Sequence, residues 1–145
     1  MKLVVQRVKN ASVTIDGKLY SSIEQGYLVL FGVEKNDTKE QADWLANKIG
    51  VLRCFPDEEG KMNLSIKDIQ GEMLIVSQFT LCAEIKKGTR PSFDSAMKPF
   101  EANEMYEYFV SKVKEQGIPV QTGVFGADMK VELLNDGPVT FIIEK

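Results

Sequence analysis

The chain has 145 residues, of which 43% are hydrophobic and 27% are charged, and its formal net charge at pH 7 is −3. It contains two cysteines and no histidine. The missing imidazole excludes Ser-His-Asp and Cys-His triads and every His-ligated metal, and two cysteines are too few for a structural zinc site. An enzyme of this sequence would therefore have to work without imidazole. We expect no cofactor and no metal site.

The length suits one domain over residues 1–145, with enough chain to bury a core without disulfides. The apolar run at residues 27–33 is far shorter than the roughly 18 residues that a membrane-spanning helix needs. The N-terminus reaches Gln6 and Arg7 too early for the apolar region of a signal peptide. We therefore expect a cytoplasmic protein with reduced cysteines.

The first third of the chain predicts three strands. Residues 3–8 and 12–15 show period-two stretches, and Asp16-Gly17 is a hairpin signal before residues 18–23. Residues 27–33 are apolar at nearly consecutive positions, which indicates a strand that is buried on both faces.

Two helices are marked by caps and by helical spacing. Asp37 can cap the first helix, with Glu40 three residues later. Its predicted inner face consists of Ala42, Leu45, Ala46, Ile49 and Leu52. The second helix is predicted to begin near Pro99 and to end at Gly117.

The remaining strands complete the predicted fold. A hairpin is expected at residues 57–60, and the apolar strand 73–76 runs into Ser77-Gln78-Phe79-Thr80. Three further strands are predicted at residues 120–124, 129–134 and 139–143. The last two of them are joined through Asn135-Asp136-Gly137-Pro138. This order predicts an α+β domain with two helices packed on a largely antiparallel sheet, and a partly closed barrel also fits.

Residues 77–80 concentrate two hydroxyls and one amide at a strand end. Ser and Thr at such places ordinarily satisfy loose backbone groups. A hydroxyl nucleophile normally needs an adjacent base, and the sequence places none beside Thr80. From the residues alone, an ordinary strand end and a functional site both remain open.

Two further segments also have two interpretations each. Gly137-Pro138 reads as a turn, and the sequence alone predicts a trans bond because only about 5–6% of X–Pro bonds in folded proteins are cis. Residues 83–97 have no predicted element and contain Lys86, Lys87 and Arg90. This basic loop is either a solvated face or a site for an anionic ligand.

Several segments closely resemble the D-aminoacyl-tRNA deacylase family when they are taken together. The two main ones are residues 77–81 (SQFTL) and 135–140 (NDGPVT). Further matches are residues 5–8, 11–13, 87–93 and 126–129. The similarity runs from end to end with matching length, and the joint order and spacing of the motifs are specific.

This resemblance implies hydrolysis of the ester between a D-amino acid and the terminal adenosine of a tRNA, with mischarged glycyl-tRNA also accepted. It implies a homodimer in which a cis Gly137-Pro138 element reaches into the partner's active site and excludes L-amino acids. It further implies that the substrate's ribose 2′-OH assists the attacking water. Main-chain N–H groups of Phe79 and Thr80 would face the scissile carbonyl.

The expected site residues follow from the resemblance, except for the basic loop, which its charge suggests. The catalytic group comprises Ser77, Gln78, Phe79 and Thr80. The substrate-binding group comprises Arg7, Met129, Gly137 and Pro138. The tRNA-binding group comprises Lys86, Lys87 and Arg90.

Three rival interpretations stay open. One is a hydrolase of small D-amino acid esters or peptides that uses Thr80 or Ser77 as a nucleophile. The second is a non-enzymatic RNA-binding module, although no RNP-like strand, KH loop or basic helix is visible. The third is an interaction domain whose motifs serve packing alone.

Overall fold

The fold is described from a computed structural model over residues 1–86 and 88–145. Lys87, one of the three predicted tRNA-binding residues, lies outside the described residues. The described elements, in chain order, are β1 (Lys2–Ile15), β2 (Lys18–Ile23), β3 (Gly26–Gly32), α1 (Lys39–Val51), β4 (Phe55–Pro56), β5 (Met62–Leu64), β6 (Glu72–Ser77), a 3-10 helix (Phe79–Cys82), α2 (Pro99–Lys114), β7 (Val120–Thr122) and β8 (Lys130–Glu144). Neither described α-helix is long and apolar enough to cross a membrane.

Strand β1 organises the sheet because it belongs to three antiparallel ladders. Its first half pairs with β3 and its second half pairs with β2. Strand β8 runs along the other side of β1, with registers from Lys2↔Glu144 to Thr14↔Lys130. Strands β3, β6 and β7 continue the sheet through two parallel pairings.

The sheet curls into a nearly closed barrel. Its strand order is β2-β1-β3-β6-β7, and the two outer strands approach each other where Ser21 Oγ donates a 2.8 Å hydrogen bond to the Thr122 carbonyl. Strands β4 and β5 form a separate small hairpin. The predicted single α+β domain, with a largely antiparallel sheet, a partly closed barrel and two helices, is confirmed.

Both faces of the central strands are buried, as the apolar run at residues 27–33 predicts. On one face, Val29 and Ile75 belong to the larger core that includes both helices. On the other face, Leu28 and Leu74 belong to a smaller cluster with residues of β1 and β2. Adjacent residues of β3 and β6 therefore serve two separate clusters, as the period-two geometry of a strand requires.

Helix α1 begins one residue later than the sequence predicts. The Asp37 carboxylate accepts hydrogen bonds from the Met1 ammonium and from the Glu34 N–H, both at 2.7 Å. It is therefore engaged elsewhere, and the cap falls to Thr38, whose N–H donates to the Gln41 side chain at 2.8 Å. The predicted beginning of α2 at Pro99 is confirmed.

The prediction of two C-terminal strands joined by a turn is wrong. Strand β8 is one continuous strand of 15 residues, and both of its halves pair with β1. Residues 135–138 form an irregularity within it, which we call the β8 bulge, and the register with β1 shifts there on both sides of Val8. A bulge absorbs the turn-forming residues without reversing the chain. The Gly137–Pro138 bond is cis, as the resemblance implies and contrary to the base-rate expectation.

The described residues of the basic loop, 83–86 and 88–97, form more hydrogen bonds than their sequence predicts. Glu84 and Ser92 exchange main-chain hydrogen bonds of 2.8 and 3.1 Å, which form an isolated antiparallel bridge. Ser95 Oγ donates to the Cys82 carbonyl at 2.6 Å. These contacts fasten both ends of the loop beside the end of β6.

Candidate active site

The candidate site begins where β6 ends at Ser77. The Gln78 N–H donates to the Phe31 carbonyl at 2.7 Å, which extends the pairing of β6 with β3 by one residue. The chain then turns into the 3-10 helix. No acceptor among residues 1–86 and 88–145 is hydrogen bonded to the N–H of Phe79 or Thr80, as is usual in the first turn of a helix. Two neighbouring main-chain donors are thus left at the end of a buried strand.

A cavity of about 310 Å³ lies against this strand end, and we call it the β6 cavity. Ser77, Gln78 and Phe79 line it, together with Met129 just before β8. A Cβ at Gly123 would collide with Met129 Sδ, so the glycine leaves room for that side chain. The structure therefore brings together four of the predicted site residues in one cavity.

Thr80, the remaining member of the predicted catalytic group, does not line the β6 cavity. Its side chain is exposed, and its Oγ accepts a hydrogen bond from the Gln78 amide. Within the described part of the chain, no lysine, arginine or carboxylate is hydrogen bonded to this hydroxyl. The arrangement supplies no base for a Thr80 nucleophile.

Arg7 holds the β8 bulge in place from the interior. Its side chain is nearly buried, its Nε–H donates to the Asp136 carbonyl at 2.8 Å, and its Nη1 donates to the Cys54 carbonyl. The Asp136 carboxylate also lies 3.7 Å from Arg7 Nε and 3.3 Å from Lys9 Nζ. One guanidinium thus joins the bulge to the segment that precedes β4.

The surroundings of Arg7 are otherwise neutral. The Tyr27 hydroxyl lies 2.8 Å from Cys54 Sγ, in the core beside the guanidinium. Burial raises the pKa of the Tyr27 hydroxyl and also raises the pKa of the Cys54 thiol. Both groups keep their protons at pH 7, so the Asp136 carboxylate provides the negative charge that pairs with Arg7.

The conformation of Gly137 requires the absence of a side chain. Its φ is +150°, and a Cβ there would lie 2.5 Å from Val139 Cγ2 and 2.9 Å from the Val139 nitrogen. The Asn135 amide fastens the bulge further, because its Oδ1 accepts from the Val139 N–H at 2.8 Å. Gly137 and Pro138 are exposed to solvent.

The β8 bulge and the β6 cavity lie at different ends of β3. Arg7 pairs with Tyr27 near the beginning of β3, whereas Ser77 pairs with Phe31 near its end. Four residues of a strand span roughly 13 Å. Gly137 and Pro138 do not line the β6 cavity of their own chain.

Lys86 and Arg90, the described members of the predicted tRNA-binding group, are exposed on the basic loop. Neither residue lines the β6 cavity. The loop is nevertheless close to the site, since the Phe93 ring contacts the Phe79 ring edge to face at a centroid distance of 4.9 Å.

Sequence reasoning missed Phe125 and Asp128, which also line the β6 cavity. Phe125 lies in a turn with Gly126, whose φ of +76° is in the left-handed region that favours glycine. The signal available in the sequence was Gly126, which lies between the strands predicted at residues 120–124 and 129–134.

Comparisons with known proteins identify the family of the chain. The family model described as D-Tyr-tRNA(Tyr) deacylase matches residues 4–144. The D-aminoacyl-tRNA deacylase of Geotalea daltonii is 62% identical over 144 residues, which cover 99% of this chain and 96% of the relative. A solved structure described as c-Myc DNA unwinding element binding protein has a TM-score of 0.95 and 42% identity, covering 100% of this chain and 99% of that one.

A second solved structure supports the fold alone. It is described as a probable eukaryotic D-amino acid tRNA deacylase, and it has a TM-score of 0.76 at 18% identity over 98% of this chain and 97% of that one. The family model and the Geotalea daltonii relative confirm the resemblance drawn from the SQFTL and NDGPVT segments. The chain belongs to the D-Tyr-tRNA(Tyr) deacylase family.

Proposed function

We propose that this protein hydrolyses the ester bond of D-aminoacyl-tRNA, releases free D-amino acid and tRNA, and spares L-aminoacyl-tRNA. Curated relatives that match nearly the whole chain carry the name D-aminoacyl-tRNA deacylase. The observation that carries the proposal is the pair of main-chain N–H groups at Phe79 and Thr80, which lack an acceptor among the described residues. They lie at the end of β6, next to a cavity of suitable size for a ligand.

These two N–H groups can stabilise the oxyanion that forms when water attacks the ester carbonyl. The carbonyl carbon gains a bond to the water oxygen, and its bond to the ribose 3′ oxygen then breaks. The proton released by the water ends on that leaving oxygen. The substrate's own 2′-OH assists the water in this scheme, which explains how a chain without histidine can catalyse the reaction.

In this proposal, the β8 bulge of a second copy of the chain distinguishes D- from L-amino acids. Gly137 and Pro138 are exposed and lie away from their own β6 cavity, so a partner subunit is needed to bring them to it. Their carbonyls can accept hydrogen bonds from the substrate's α-ammonium group. They also occupy the space that an L side chain would need. Glycine has no side chain, so mischarged glycyl-tRNA would be accepted.

The basic loop would contact the phosphates of the tRNA. Lys86 and Arg90 are exposed there, and Lys87 lies between them in the sequence. Basic side chains on phosphates release counterions, so binding should weaken as the salt concentration rises. A tRNA substrate and two free cysteines also support a cytoplasmic location.

The alternative of a small-ester hydrolase with a Thr80 nucleophile has less support. The Thr80 hydroxyl is exposed and is hydrogen bonded to an amide, which cannot act as a base at neutral pH.

The test is to incubate the purified protein with D-Tyr-tRNA and, separately, with L-Tyr-tRNA, and to measure the free tyrosine released over many turnovers. We expect turnover of the D-ester, while the L-ester decays at its spontaneous rate. Equal enzymatic rates on both would contradict the chiral filter. Stoichiometric binding without turnover would favour an RNA-binding module, and rapid cleavage of D-tyrosine methyl ester would favour the small-ester hydrolase.

A further inference from the structure

A second cavity of about 550 Å³ adjoins the β6 cavity. The two share several lining residues, namely Phe79, Met97, Ala102, Phe125 and Gly126. The second cavity continues past Phe79 towards the basic loop and the beginning of α2, where it is lined by Phe93, Lys98 and Pro99. A ligand that fills the β6 cavity therefore borders a second compartment.

Exposed aromatic surface lines this second compartment. Phe79 is 57% exposed although it is a large apolar side chain. Its ring meets the Phe93 ring at an angle of 63°, so the two faces are not stacked on each other. Aromatic faces at the side of a cavity are the usual stacking surfaces for bases of single-stranded nucleic acids.

The charges of the compartment suit a nucleotide. Lys35 and Lys98 line it, and neither joins any of the ion pairs found among the described residues. Asp94 is the acidic member of the lining, so positive charge is in excess here although the whole chain is acidic. Ammonium groups bind phosphate, and a carboxylate can accept a hydrogen bond from the amino group of cytosine.

The backbone holds these groups in position. The Lys35 N–H donates to the Ser95 carbonyl at 3.0 Å, which ties the segment after β3 to the basic loop. Lys98 is the residue immediately before α2, and its carbonyl accepts from the Ala102 N–H at 2.8 Å. The two lysines thus come from separate segments, and the main chain of each is hydrogen bonded within the fold.

We propose that this second cavity binds the nucleotide that precedes the terminal adenosine of the substrate, which is a cytidine in tRNA. Its base would contact Phe79 and Phe93, its amino group would donate to Asp94, and the phosphate linking it to the adenosine would lie near Lys35 and Lys98. The inference rests on the proposed function, in which the terminal adenosine and its ester enter the β6 cavity, because the adjacent cavity then receives the next nucleotide along the chain.

The test compares two minimal substrates, the D-tyrosyl ester of adenosine and the D-tyrosyl ester of the dinucleotide CpA. We expect a KM about tenfold lower for the CpA ester in the unmodified protein, because one more base and one phosphate are bound. A Lys35→Gln/Lys98→Gln variant should lose this advantage and should keep its kinetics on the adenosine ester. Lys67→Gln is the matched control, since Lys67 is exposed and precedes the other end of β6.

The inference would be overturned by equal KM values for the two esters in the unmodified protein. It would also be overturned if the lysine variant lost activity equally on both. A changed preference between D-tyrosyl and D-alanyl adenosine in a Phe93→Leu variant would assign the cavity to the amino acid side chain instead.

Binding of unesterified CpA and adenosine, measured by calorimetry, separates this inference from the proposed function. Tighter binding of CpA that the lysine variant abolishes supports the second cavity even if neither ester is cleaved. In that case only the proposed hydrolysis would fail. Equal binding of CpA and adenosine would overturn the inference whatever the hydrolysis assay gives.

Discussion

The β6 cavity and the β8 bulge differ in how their polar groups are used. The cavity is concave, and two main-chain N–H groups beside it lack acceptors among the described residues. Gly137 and Pro138 of the bulge are exposed, whereas the Asp136 carbonyl and the N–H of the following Val139 are engaged by Arg7 and Asn135. The first region is suited to receive a ligand and the second to be presented rigidly. One chain therefore carries both regions, and they lie at different ends of β3.

The largest expected effect comes from removing a main-chain donor at the β6 cavity. Thr80→Pro deletes one N–H and should lower kcat on D-Tyr-tRNA by about 10²–10³-fold, because proline has no N–H. Thr80→Ala is the matched control, since it removes the hydroxyl and keeps the N–H. It should retain much of the rate. Circular dichroism checks that both variants are folded, and a background rate in a folded Thr80→Ala would revive the nucleophile.

A complementation experiment tests whether the two regions act across subunits. Gly137→Ala alters the bulge, because a Cβ there would meet Val139, and Thr80→Pro disables the cavity. Heterodimers that contain one subunit of each variant can be purified through two different tags. They should have about half of the unmodified activity, since one of their two composite sites is intact. Heterodimers no more active than the two parents would place the whole site within one chain.

A smaller effect concerns the interior support of the bulge. Arg7→Ala leaves the Cys54 and Asp136 carbonyls without their donor, and it should lower the free energy of unfolding by about 3 kcal/mol. Lys9→Ala removes the exposed cation that also faces Asp136, and it should cost at most about 0.5 kcal/mol. Urea unfolding measures both variants. Equal losses would show that the bulge does not depend on Arg7.

Local signals predicted the elements that local interactions determine. Asp16-Gly17 forms the predicted hairpin with positive φ at both residues. Pro99 begins α2 as its fixed φ favours. The Asp37 cap failed because its carboxylate accepts from Met1, 36 residues away, a contact that no local pattern reveals.

The candidate site, too, depends on contacts that local sequence patterns do not reveal. The SQFTL segment located the end of β6, and Ser77 and Gln78 do line a cavity there. The residues NDGP signalled a turn, yet β1 continues along both sides of Gly137 and converts the turn into a bulge. No sequence pattern indicated Lys35 or Lys98, because only tertiary packing brings them to one compartment.

The pairing of β1 with β8 has a consequence for synthesis of the chain on the ribosome. Strand β1 emerges first, but the side that β8 covers stays open until residues 130–144 have left the exit tunnel. The nascent chain must therefore hold one edge of the 14-residue strand β1 unpaired until β8 emerges. Because Gly137 lies in β8, the β8 bulge takes its place only when the sheet is completed.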